Sequence, residues 1–151
     1  MKNIIISFII LIFLNSCGYT PIHLNKNSTP IEIKLIKLEG DNTLNRFLNL
    51  DLKKHYNLEL NKKFIITIKS KYLKQSVTKN KSGKTTEYKL VSTVNFNIEF
   101  DNSKKDLSFK ESSMMKNIDN SINEKEYERS LIQNHSSSIY NKLISFLETI
   151  Q

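Results

Sequence analysis

A chain of 151 residues with 23 Lys and Arg against 15 Asp and Glu has a formal net charge of +8, and 21 of those basic residues are lysines. One cysteine excludes an internal disulfide, three glycines leave little material for a phosphate-cradling loop, and the length suits one domain around one core. The basic balance fits an acidic partner, nucleic acid or lipid phosphates, although a plain Lys, Asn and Ile bias produces the same charge.

The chain opens with Lys2, an apolar run from Ile4 to Leu14, and then Asn15-Ser16-Cys17. A membrane-spanning helix needs about 20 apolar residues, so this run has the dimensions of a signal-peptide core rather than a retained span. Leu14-Asn15-Ser16-Cys17-Gly18 resembles the lipobox of bacterial lipoproteins, in which the cysteine sulfur is acylated and cleavage falls just before it. An ordinary secretory signal with an incidental cysteine is the alternative. The expected organisation is a lipoprotein signal peptide over 1–16, an acylated N-terminus and tether over 17–30, and a single α+β domain over 31–151. Several acyl chains on Cys17 would hold the protein on a membrane. Gly18, by the same resemblance, implies the outer membrane and its periplasmic face. Export argues against nucleic acid as the partner.

Tyr19 to Pro30, with two prolines and no apolar period, reads as the tether. Ile31 to Leu38 alternates as a first strand that stops at Gly40-Asp41-Asn42. Asp41 or Asn42 can cap a helix whose apolar positions are Leu44, Phe47, Leu48 and Leu52, with His55 following. Phe64, Ile66, Ile68 and Tyr72 share one face of a second strand that runs through Thr78 to a turn at Asn80-Lys81-Ser82-Gly83. The return from Tyr88 to Phe100 alternates over an unusual length, giving a long hairpin with one buried and one polar face. A second turn is expected at Asn102 to Lys105, then a fourth strand from Leu107 towards Met114. Asn120 or Ser121 precedes a final helix with the stripe Tyr127, Leu131, His135, Ile139, Leu143, Phe146 or Leu147, and Ile150. The order βαβββα predicts a two-layer sandwich, a four-stranded and mostly antiparallel sheet covered by two helices.

Residues for catalysis do not assemble into a motif. His23, His55 and His135 are far apart in sequence, no metal-ligand spacing occurs, and no cofactor-binding pattern is present. His55 and His135 lie beside apolar positions, as interfacial histidines do, and Glu124 and Glu126 suit the start of a helix, where carboxylates meet the dipole favourably. The expected protein is not an enzyme, with no catalytic residue, metal or cofactor. The surface that stands out is the hairpin turn, where Lys79, Lys81 and Lys84 can meet phosphate oxygens as point charges or simply remain solvated.

Ser82-Gly83-Lys84-Thr85-Thr86-Glu87-Tyr88, continuing to Thr93-Val94-Asn95, together with Cys17-Gly18-Tyr19, resembles the LPS-assembly lipoprotein LptE family. The resemblance implies a plug inside the outer-membrane β-barrel that inserts lipopolysaccharide, which also helps that barrel assemble and binds lipopolysaccharide. It places a basic lipopolysaccharide contact at Lys81, with Lys79 and Lys84 beside it, and a second at Lys125 near the final helix. The chain departs from the family pattern in lacking a Pro-containing turn after the third strand. Two other functions fit a lipoprotein of this size: an auxiliary lipoprotein of an ABC-type lipid transport system, and a periplasmic hydrolase.

Overall fold

The computed structural model describes residues 30–60 and 63–150. The expected signal peptide, Cys17, and all of the tether except Pro30 lie outside the described residues.

Strand β1 (Glu32–Glu39) puts Ile33 and Leu35 on one face. Leu38 is three residues beyond Leu35 and would point the wrong way in an unbroken strand; a bulge between Leu35 and Lys37 restores it, opposite Ile68. The strand ends at Gly40, whose φ of +106° and close approach to the Ser70 carbonyl leave no room for a side chain. Asp41 then caps helix α1 (Asn42–Leu52), its side chain accepting from the Leu44 N–H at 2.8 Å. Leu44, Phe47, Leu48 and Leu52 form the buried stripe of α1, as their spacing predicts.

Strands β2 (Lys63–Lys79), β3 (Thr85–Phe100) and β4 (Ser103–Lys116) follow, then helix α2 (Ser121–Ile150). The sheet order is β1-β2-β3-β4; β1 runs parallel to β2 across the α1 crossover, and the other pairs are antiparallel. Both helices lie on the face carrying Phe64, Ile66, Ile68, Leu90, Val94, Phe96 and Ile98, and they pack on each other. The α+β sandwich and the βαβββα order are as the sequence predicts.

Two details differ. The second turn is only Asp101-Asn102, both with positive φ (47° and 62°), so β4 begins at Ser103 and not at Leu107. The buried stripe of α2 is Ile132, His135, Ser136, Ile139, Leu143 and Leu147, whereas Tyr127 is 42% exposed. The first third of α2 is joined to the sheet by polar contacts, from Lys74 to Glu124 and Glu128 and from Tyr72 to Glu128.

Candidate functional site: the basic hairpin tip

Hairpin β2–β3 is built from strands of 17 and 16 residues, a projection of roughly 50 Å at the usual rise per residue. Asn80 organises its loop. The Asn80 N–H donates to the Lys84 carbonyl at 2.9 Å, and the Gly83 N–H donates to the Asn80 carbonyl at 3.0 Å. The Asn80 side-chain oxygen accepts from the Ser82 N–H, the Ser82 hydroxyl and the Lys84 N–H at 3.1, 2.7 and 2.9 Å. Gly83 supplies the left-handed backbone this requires, with φ +80°. The turn is therefore rigidified by its own polar groups, and the lysine side chains are not needed to hold it.

Lys79 and Lys81 are exposed there, and no ion pair joins either of them to a carboxylate among the described residues. Lys84 behaves differently. Its Nζ donates to Asp119 at 2.6 Å, a bond that holds the lysine pKa above and the aspartate pKa below their usual ranges. Asn117 continues the attachment: its N–H donates to the Thr86 carbonyl at 2.8 Å and its side-chain amide to the Thr85 carbonyl at 2.6 Å. The segment before α2 is thus fastened to the base of the tip. Lys125 is exposed in α2 just beyond that segment, and among the described residues no hydrogen bond or ion pair connects it to Lys79, Lys81 or Lys84.

The same end of the molecule contains a polar strut that the sequence reading missed. Lys74 Nζ donates to Glu124 at 2.7 Å and to Glu128 at 2.8 Å, lies 4.3 Å from the Tyr88 ring centroid, and neighbours the Tyr72 hydroxyl, which donates to Glu128 at 2.6 Å. Burial works to lower the Lys74 pKa, but the two carboxylates outweigh it and the net shift is upward. Burial and the bond to Glu128 push the Tyr72 phenol well above its ordinary range. The signal was present: Lys74 has the same strand parity as Phe64, Ile66, Ile68 and Tyr72, and a lysine on a covered face needs a carboxylate partner.

Both described histidines are structural in their contacts. His55 Nδ1 lies 3.1 Å from the Ile31 carbonyl, so it carries the proton, and Nε2 accepts from the Tyr140 hydroxyl at 2.8 Å. His135 is buried between the Ser92 and Ser113 hydroxyls, each 2.9 Å from one ring nitrogen. Burial lowers its pKa, with Glu111 opposing the shift. Ser92 is fully buried and, among the described residues, the His135 nitrogens meet the Ser92 and Ser113 hydroxyls and no carboxylate, so this group lacks the acid–base orientation of a hydrolytic triad. No group of three or more His, Cys, Asp or Glu side chains capable of holding a metal occurs among the described residues. A concavity of about 740 Å³ between β4 and α2 is lined by Leu107 and Phe109 on the strand and by Phe146, Lys142 and serine and asparagine side chains on the helix.

The chain matches no protein-family model and no curated protein. Its fold is shared with solved bacterial lipoproteins. Rare lipoprotein B from Shewanella oneidensis superposes with a TM-score of 0.62 at 10% identity, over 79% of this chain and 95% of that one. Lipoprotein B from Nitrosomonas europaea gives a TM-score of 0.59 at 14% identity, over 81% of this chain and 84% of that one. A minor lipoprotein from Acinetobacter baumannii gives 0.54 at 17% identity, over 77% and 94%.

Proposed function

We propose that this chain is an outer-membrane lipoprotein of the lipopolysaccharide-assembly type, anchored through acyl chains on Cys17 and seated as a plug in the β-barrel that inserts lipopolysaccharide. Its hairpin tip binds lipid A phosphates. The observation that carries this reading is the position of the Ser82 to Asn95 motif: it forms the tip and returning strand of a long hairpin, and Lys79 and Lys81 stand at that tip free of carboxylate partners among the described residues. The lipoprotein identity of the structural neighbours supports the anchored state, and the lipobox resemblance of Leu14 to Gly18 points the same way.

Physically, a plug works by shape and charge without bond-making chemistry. An exposed ammonium on a rigid loop attracts phosphate without the entropic cost of ordering the loop. Lys84 contributes less than Lys81, because an incoming phosphate must compete with Asp119. Lys81→Glu should weaken lipopolysaccharide binding at low salt by roughly tenfold, the scale of losing one charge-assisted contact and adding a repulsion. Lys81→Arg should retain binding. Equal affinity of the Glu variant and the wild type would remove the tip from the account.

A further inference from the structure

Among the described residues, both helices lie on one face of the sheet and the other face carries none. Its register places four successive rows side by side on β2, β3 and β4: Lys69–Asn95–Ser108, Lys71–Thr93–Lys110, Leu73–Val91–Ser112 and Gln75–Lys89–Met114. These rows hold four lysines and no carboxylate. Lys71, Lys89 and Lys110 are exposed and have no ion pair among the described residues, while Lys69 has Glu39 opposite it on β1. The acidic groups of this face border these rows and are engaged there: Glu39 with Lys37, Glu99 with Lys104, Asp106 with the Asn97 amide, and Glu87 with the Thr78 hydroxyl. Within the basic zone Leu73 and Met114 remain 40% and 50% exposed.

Resting on the plug reading above, we propose that this uncovered sheet face is the surface that docks on the wall of the partner barrel, against a patch of that protein bearing carboxylates. Charge complementarity selects the partner's chemistry, since unpaired ammonium groups around an apolar centre are matched by acidic side chains around apolar ones. The form of the face favours a protein over a bilayer: the four rows contain no aromatic side chain to insert among lipids, and Gln75, Thr93, Asn95, Ser108 and Ser112 set hydrogen-bonding groups around the small apolar centre of Leu73, Val91 and Met114. Its extent is adequate as well. The four strands span on the order of 900 Å² at normal strand spacing and rise, against roughly 800 Å² per partner in a standard protein interface.

The test is photocrosslinking of the full acylated chain in intact envelopes, with p-benzoylphenylalanine placed at Asn95 or Ser112 on the open face, and at Arg46 on α1 as the comparison. The two sheet positions should give adducts with an outer-membrane barrel protein, and the crosslinked peptide should contain Asp or Glu. Lys71→Glu combined with Lys110→Glu should cut adduct yield roughly tenfold, whereas the paired Arg substitutions should preserve it; circular dichroism of each variant establishes that it is folded. Barrel adducts from Arg46 but not from the sheet would overturn this docking face and leave the plug reading standing. Adducts to lipid alone from the sheet positions, or an undiminished yield in the folded double Glu variant, would also overturn it. Absence of barrel adducts from every position would overturn the plug reading itself.

Discussion

Gly40 and Gly83 both have positive φ, but they make different demands on the chain. A Cβ on Gly40 would lie 1.9 Å from the Ser70 backbone oxygen, within the turn where the Asp41 N–H donates to the Ser70 hydroxyl at 2.9 Å. A Cβ on Gly83 meets nothing within 4 Å. Gly40→Ala should therefore destabilise the domain by about 3 kcal/mol, as backbone must move as well as strain, and Gly83→Ala by about 1 kcal/mol from strain alone. Urea denaturation distinguishes the two. His135 supplies a pH dependence. Its folded-state pKa lies below the ordinary 6.5, so below that pH the unfolded chain binds the proton more readily and stability falls as the solution is acidified. Thermal melts between pH 7 and 5 should show this loss, and His135→Gln, which retains a donor and an acceptor, should flatten the slope. The depressed Glu32 and Glu111 carboxyls act in a separate window, below their ordinary 4.5.

At the scale of elements, the strut between β2 and α2 replaces hydrophobic packing where the helix passes beyond the core. Lys74→Ala leaves Glu124 and Glu128 without their shared cation and should cost about 2 kcal/mol. Hydrogen exchange should show the loss concentrated in the first turns of α2. These elements were unequally legible in the sequence. The alternation in β3 followed from local physics, the cap was narrowed to Asp41 or Asn42 and is Asp41, and Leu44, Phe47, Leu48 and Leu52 are buried as their period requires. The α2 stripe was harder to read, because Tyr127 has helical spacing yet is 42% exposed, on the part of the helix held by Glu124 and Glu128. Ser136, fully buried, looks polar in any pattern analysis. The tip was legible as a lysine cluster, but the bond from Lys84 to Asp119 joins residues 35 apart and only folding reveals it.

At the scale of the whole molecule the domain is polar along its length. The chain enters at Pro30 beside the start of β1, where Glu32 pairs with Lys63, and the basic tip lies at the far end of β2. An anchor at Cys17, thirteen residues before Pro30, would allow about 45 Å of extended tether. Such a tether would hold the domain near its membrane while leaving the tip free to reach away from it. That arrangement suits a plug whose anchor raises its local concentration beside the barrel. It is tested most directly by purifying the acylated chain after mild detergent extraction and identifying what accompanies it. The account predicts an outer-membrane β-barrel in a fixed ratio to the lipoprotein; inner-membrane transporter subunits, or a lipoprotein recovered alone, would contradict it.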